Sequence, residues 1–135
     1  MSIQMYSHVT IGSNNIARSM EFYEPTLATL GIELFFEHDS ALGFGEVRGT
    51  RLWIMQPFDG DAASIGNGTH IAFLAPDREV VHAFYAVALA HGGTDEGAPG
   101  PRPQYHKNYY GAYVRDPDGN KLQACCHSRV EDVGE

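Results

Sequence analysis

The sequence predicts an α+β fold built from two tandem βαβββ modules, and the main reason is an internal repeat. When His8 is set over His70, "HVTI" aligns with "HIAF", one "FY" pair aligns with another, and Gly31 aligns with Gly93 without a gap. Further along, "TRLWIMQ" aligns with "NKLQACC" once the loop length is adjusted. A strand, a helix and a glycine at the end of the helix recur together, which indicates that one supersecondary unit occurs twice. The alternative is two unrelated βα units that share a period by chance.

The first module begins with a strand over residues 5–11, where apolar and polar residues alternate. Asn14 or Asn15 is placed to cap the helix that follows. Gly31 ends that helix, since glycine readily takes the left-handed conformation of a C-cap. The apolar stripe of the helix comprises Ile16, Met20, Tyr23, Leu27 and Leu30.

Three short strands, over residues 32–38, 41–48 and 51–56, complete the first module. Pro25 lies inside the predicted helix, where it removes a backbone hydrogen bond. We therefore expect the helix to kink or restart there.

The second module repeats this order. A strand is predicted over residues 69–74, and Pro76 and Asp77 begin the second helix. The segment "DEGAPGPRPQYHKN" is rich in proline and glycine and is predicted to be a long loop. Strands over 109–115 and 121–127 follow, joined by the turn "DPDG".

The length of 135 residues fits one domain. Within it we expect a first module over 1–58, a linker over 59–67 and a second module over 68–128. The only two cysteines, Cys125 and Cys126, are adjacent and should point to opposite sides of a strand, so we expect both to be reduced.

Composition excludes several classes of function. Apolar residues make up 43% and charged residues 19%, as in a globular protein. Nine basic and seventeen acidic side chains give a net charge of −8, which disfavours nucleic acid and anionic membranes as partners. The chain has no run of about 18 apolar residues and no secretory pattern at its start, so we expect a cytoplasmic protein.

Two modules that each begin with a histidine strand, with "YVRDPDGNKL" leading into the last strand, resemble the vicinal oxygen chelate superfamily. That superfamily includes glyoxalase I, fosfomycin and bleomycin resistance proteins and extradiol dioxygenases. The resemblance covers residues 5–127. It implies a cupped, incomplete barrel that holds a divalent metal such as zinc, nickel, manganese or iron. The implied ligands are a histidine on the first strand of each module and a glutamate on the last strand.

His8, His70 and Gln123 stand at the three implied ligand positions. Glutamine is neutral, so it compensates the charge of an ion less than glutamate does, and the metal could be absent. In that alternative Gln123 is an amide hydrogen-bonded inside a cavity. Trp53, which the repeat pairs with Gln123, cannot ligate, so at most three protein ligands are expected.

Other candidate residues lie outside this set. Tyr109 and His106 belong to or adjoin the long loop and are candidates for proton transfer, and Glu46 is a candidate general base. Period-two alternation places Tyr109 and Tyr113 on one side of a strand. The same alternation places Gln123, Cys125 and His127 together, with His127 at an exposed strand end.

Two functions follow as hypotheses. One is a glyoxalase-like, metal-dependent lyase or isomerase acting on a small molecule with neighbouring oxygens. The other is a metal-free protein that sequesters a small molecule, resembling the bleomycin resistance proteins, which bind a cationic drug in an acidic groove. An extradiol dioxygenase is less favoured because its iron site normally includes a carboxylate. The resemblance also implies a homodimer.

Overall fold

The computed structural model of the chain describes residues 5–46 and 48–128. Five elements make up the first module: β1 (His8–Gly12), α1 (Ile16–Ala28), β2 (Leu34–His38), β3 (Ala41–Gly45) and β4 (Arg51–Met55). Five make up the second: β5 (His70–Leu74), α2 (Arg78–Ala90), β6 (Thr94–Pro101), β7 (Tyr110–Arg115) and β8 (Lys121–Cys126). The prediction of tandem βαβββ modules is confirmed.

Each module forms its own four-stranded sheet. The strand orders are β1-β4-β3-β2 and β5-β8-β7-β6, so the two modules have the same topology. The first strand of each module runs parallel to the last, and the other neighbours are antiparallel. The described strands do not close a barrel. No helix in the described part of the chain is long and apolar enough to span a membrane.

Side-chain caps begin both helices. Asn15 accepts a hydrogen bond from the Arg18 backbone N–H at 3.0 Å, and Asp77 caps α2 in the same way. Contrary to the expected kink or restart, α1 runs through Pro25 without ending. The carbonyl that loses its partner belongs to Glu21, an exposed residue, so water can hydrate it.

The predicted long loop is partly wrong, because residues 94–101 form β6. This strand pairs antiparallel with β7, and its register shifts between Asp95 and Gly97 and again between Gly97 and Gly100. Proline and glycine are tolerated here because β6 lies at the edge of its sheet and is bulged. The loop that remains, residues 102–109, carries the aromatic side chains of the candidate site.

Both helices pack on the sheets in one shared core. Phe22 and Leu27 of α1 lie in the same buried cluster as Phe84 of α2, with side chains from both sheets. Along each strand, every second side chain points into this core, and the side chains between them point away from the helices. We call these surfaces the open faces. The first comprises His8, Thr10, Gly43, Arg51, Trp53 and Met55; the second comprises His70, Ala72, Leu74, Tyr113, Lys121, Gln123 and Cys125.

The turn between β7 and β8 ties the second module to the first. Asp118 accepts hydrogen bonds from the Asn14 backbone N–H at 2.9 Å and from the Arg18 guanidinium at 2.7 Å. Its side chain is only 2% exposed. Asn120 donates to the Gly12 carbonyl at 3.0 Å. The "DPDG" turn therefore satisfies polar groups at the N-terminus of α1 as well as reversing the chain.

Asp116 contributes a second link, because it accepts a hydrogen bond from the hydroxyl of Tyr23 in α1. Burial raises the pKa of Tyr23 well above its usual value, and the neighbouring negative charge of Asp116 adds to the rise. The other carboxylate oxygen of Asp116 accepts from the Asp118 and Asn120 backbone N–H groups, both at 2.9 Å. One buried carboxylate thus orders the turn and anchors it to α1.

Candidate functional site

The two histidines predicted as metal ligands begin equivalent strands, and both are exposed. The Nδ1 atom of His8 lies 2.8 Å from the Ser7 hydroxyl. The ring of His70 meets the ring of Tyr113 edge-on, with centroids 5.8 Å apart. Near His70 a small cavity of about 20 Å³ is lined by residues of both β1 and β5, so these two strands approach each other. No hydrogen bond among the described residues joins His8, His70 and Gln123 to one another.

Gln123 is 1% exposed and is held by Tyr109. Its amide nitrogen donates to the Tyr109 hydroxyl at 2.6 Å. Gly111 leaves room for this arrangement, because a Cβ atom at that position would lie 2.9 Å from the Gln123 amide nitrogen. The Gln123 amide therefore lies against Gly111 of β7, within hydrogen-bonding distance of the Tyr109 hydroxyl.

His8, His70 and Gln123 supply only uncharged donors, two imidazoles and an amide oxygen, so they would bind a divalent ion more weakly than a set that includes a carboxylate. Lys121 lies opposite His70 in the strand pairing, and its ammonium lies 5.0 Å from the centroid of the Tyr113 ring. No group of three or more His, Cys, Asp or Glu side chains within residues 5–46 and 48–128 is placed to hold a metal. The metal site stays a prediction.

Of the three predicted catalytic residues, the structure brings two together. The rings of Tyr109 and His106 have centroids 5.4 Å apart. Glu46 lies in the exposed turn after β3, on the first module. The His106 Nε2 atom lies 2.9 Å from Nδ1 of His127, and Nε2 of His127 lies 3.7 Å from the Cys125 sulfur. Sequence reasoning placed Cys125 and His127 on one face, but periodicity alone could not show their contact with the loop.

The Cys125 thiol is buried beside Tyr109. Burial raises the pKa of the thiol, whereas the hydrogen bond from Tyr109 lowers it. Both cysteines are free, as expected.

The first open face carries an aromatic cluster that sequence reasoning did not identify as functional. The Trp53 ring packs edge-on against Phe35 and Phe36, with centroids 5.3 and 5.5 Å away. Gly43 makes this possible, since a Cβ atom there would lie 2.8 Å from both Phe35 and Trp53. The Arg51 guanidinium carbon lies 5.9 Å from the Phe35 ring centroid. The cluster therefore combines exposed aromatic edges with a cation.

The second open face also combines an aromatic ring, that of Tyr113, with nearby cations. Its ring is approached by the Lys121 ammonium at 5.0 Å and by the Arg102 guanidinium carbon at 5.8 Å. Burial raises the pKa of Tyr113 to about 12, with a further rise from its hydrogen bond with Tyr105. Tyr113 therefore stays neutral at physiological pH and adds no negative charge to this basic surface.

A larger pocket, of about 390 Å³, adjoins the first open face. Thr10 and Met55 of that face line it, together with Phe58, Asp59 and other residues of the segment after β4. Its volume is within the range of small-molecule sites.

We expect the Tyr109 hydroxyl to titrate far above neutral pH. Burial raises its pKa to about 12, and the hydrogen bond to Cys125 adds to the rise. The folded-state pKa lies above the unfolded value of roughly 10. The stability that this hydroxyl contributes is therefore complete below pH ~10 and is lost as the pH rises towards about 12.

Ultraviolet titration of tyrosinate in the wild type and in Tyr109→Phe checks this value. The difference between the two curves should be a transition near pH 12. A difference centred on the ordinary tyrosine pKa of about 10 would show that Tyr109 is not held as described.

Comparison with known proteins places the chain in a family. The model of the Glyoxalase/Bleomycin resistance protein/Dioxygenase superfamily matches residues 6–124. No protein with a curated description matches the chain.

Solved structures agree with this match. A glyoxalase/bleomycin resistance protein from Albidiferax ferrireducens T118 is 37% identical with a TM-score of 0.85, and the match covers 93% of this chain and 100% of that one. A glyoxalase-related enzyme from Fulvimarina pelagi is 20% identical with a TM-score of 0.73, covering 92% of this chain and 88% of that one. The second likeness shows the fold alone. The chain therefore belongs to the Glyoxalase/Bleomycin resistance protein/Dioxygenase superfamily.

Proposed function

We propose that the chain binds a small, flat organic anion on its open faces and that this binding requires no metal. The observation that carries the proposal is the Nε–H group of Arg51, which is buried and has no hydrogen-bond partner among the described residues. An unpaired, partly buried cationic group is costly, and a ligand carboxylate that binds the Arg51 guanidinium would compensate its charge. The neighbouring rings of Phe35 and Trp53 offer a surface for the flat part of the same ligand.

The distribution of charge supports an anionic ligand. Although the chain has a net charge of −8, Arg51, Arg102 and Lys121 gather on or beside the open faces. Within the described part of the chain, the salt bridges are Arg18–Asp118 and Arg115–Glu96, so none of these three cations is paired with a carboxylate. A cationic ligand, as expected for an acidic groove, would meet like charge here.

A glyoxalase-like lyase or isomerase is the second candidate. His8 and His70 favour it, because the repeat places both at the start of equivalent strands and both side chains are exposed. The Gln123 amide nitrogen donates to Tyr109, so the amide oxygen is the atom that would ligate an ion in this candidate.

Trp53 provides the test of anion binding, because it is the only tryptophan of the chain and lies on the first open face. Titration with benzoate should change its fluorescence, and the neutral analogue benzamide should bind more weakly. Arg51→Gln should raise the Kd for benzoate about tenfold or more, since a hydrogen bond to a charged group contributes roughly 1.5–3 kcal/mol.

Arg48→Gln is the matched control, because Arg48 is an exposed arginine in the turn before Arg51. It should leave the Kd near the wild-type value. Equal affinity for benzoate and benzamide, or an Arg51→Gln variant that binds benzoate as the wild type does, would contradict the proposal.

We also propose that a second copy of the chain covers part of the open faces. Leu74 is 71% exposed and Met55 is 36% exposed, and both lie on these faces. Sedimentation velocity should give twice the 14.8 kDa mass of the chain. Leu74→Lys should shift the protein towards the monomer, whereas Ile65→Lys, at an exposed position outside the open faces, should not. A monomeric wild type would refute this proposal and leave the anion site untouched.

A further inference from the structure

The turn that leads into β5 contains the one Asn–Gly pair of the chain, Asn67–Gly68. Both residues are exposed. The Thr69 N–H donates to the Gly66 carbonyl at 3.0 Å, which closes the turn around them. Gly68 has a φ of 95°, a conformation that glycine takes without strain.

The backbone nitrogen of Gly68 is unengaged. Its N–H donates to no acceptor within residues 5–46 and 48–128. A Cβ atom built on Gly68 would meet no atom within 4 Å, so the space around this residue is open to water. Since glycine has no side chain, nothing shields the nitrogen from a neighbouring group.

The side chain of Asn67 is also unconstrained. Within the described part of the chain it forms no hydrogen bond, whereas three of the other four asparagines do. Asn14 and Asn120 donate to backbone carbonyls, and Asn15 accepts a backbone N–H at the start of α1. The Asn67 carboxamide can therefore rotate towards the nitrogen of the residue that follows it.

The chain supplies three reference sites in which the corresponding nitrogen is engaged. Each consists of an Asn or Asp whose following residue donates its N–H to a backbone carbonyl. These sites are Asn108–Tyr109, Asp59–Gly60 and Asp118–Gly119, with N–H donation to His106, Pro57 and Asp116 at 3.2, 3.1 and 2.9 Å. Asp118 is restrained further, because its side chain is only 2% exposed and pairs with Arg18.

We propose that Asn67 is a modification site, at which spontaneous deamidation converts a neutral amide into a carboxylate. The Gly68 nitrogen attacks Cγ of Asn67. The N–Cγ bond forms, the Cγ–Nδ2 bond breaks, and ammonia leaves with the proton that the Gly68 nitrogen loses. Water then opens the cyclic imide. Opening at Cγ gives aspartate, and opening at the main-chain carbonyl gives isoaspartate, in which the backbone passes through Cγ.

The modified turn adjoins the second open face. Gly66 and Thr69 line the same small cavity as His70 and Lys121. The reaction therefore adds a negative charge beside this basic surface, and the isoaspartate product also lengthens the backbone just before β5. The proposal does not depend on anion binding at Arg51, which lies on the other open face.

Peptide mapping by mass spectrometry tests the site. The full chain is incubated at mildly alkaline pH, and conversion is followed at each asparagine. Asn67 should deamidate at least about fivefold faster than Asn108, because Gly68 lacks a side chain and its N–H is unpaired. Gly68→Ala should slow the reaction about fivefold or more, and Asn67→Gln should nearly abolish it, since the longer side chain must close a larger ring.

Gly60→Ala is the matched control, because Gly60 also has a positive φ, of 81°, and equally open surroundings. It should leave the rate at Asn67 unchanged. Equal rates at Asn67 and Asn108 in the folded wild type, or a Gly68→Ala variant that reacts as fast as the wild type, would overturn the proposal.

The chain unfolded in urea separates the effect of the turn from that of the sequence. Unfolding should change the rate at Asn67 little, because the Gly68 N–H is already free in the folded protein. It should speed isoaspartate formation at Asp118–Gly119 severalfold, since it releases both the Asp118 carboxylate and the Gly119 N–H. A comparable acceleration at Asn67 would show that the folded turn protects this residue, and would contradict the proposal. Benzoate binding is measured separately, so either proposal can fail alone.

Discussion

The carboxylates of the turn between β7 and β8 determine how the two modules meet. Asp118 lies at the N-terminus of α1, where unpaired backbone N–H groups and the helix dipole both favour a negative charge. Asp116 lies deeper and accepts the Tyr23 hydroxyl. Since β8 begins just after this turn, the same contacts fix the strand that carries Gln123 and Cys125. The most recognisable stretch of the sequence therefore has a structural role, and the candidate site residue Gln123 lies further along the strand.

Gln123 stands at the position where the family resemblance implies a glutamate ligand. Its amide nitrogen donates to the Tyr109 hydroxyl, and the Tyr109 ring packs edge-on against His127. A glutamate at position 123 could not donate this hydrogen bond when ionised. The basic and aromatic residues around Arg51 and Tyr113 form the surfaces on which we propose that an anion binds without a metal.

Much of the fold could be predicted because it follows local rules. The repeat offset that aligns His8 with His70 also relates β1 to β5 and α1 to α2, whose bounds match residue for residue. Alternation along a strand was enough to place Gln123 and Cys125 on one face. One detail differs, because the left-handed glycine after α2 is Gly92, with φ of 100°, and not Gly93.

The rest depends on contacts between distant residues. β6 was missed because its proline and glycine residues suit a loop equally well, and only edge pairing with β7 makes them a strand. A register shift in β2 brings Phe35 onto the same side as Trp53, which no alternation rule predicts. The contact between His106 and His127 depends on the path of the 102–109 loop.

Metal content tests most directly whether His8, His70 and Gln123 hold an ion. The measurement is elemental analysis of protein purified without an affinity tag, before and after soaking in zinc, nickel, manganese or iron, with His8→Ala as the control. We expect transition metal far below stoichiometry and no difference between the wild type and His8→Ala. A stoichiometric metal that is lost in His8→Ala would contradict a metal-free site and favour the lyase or isomerase.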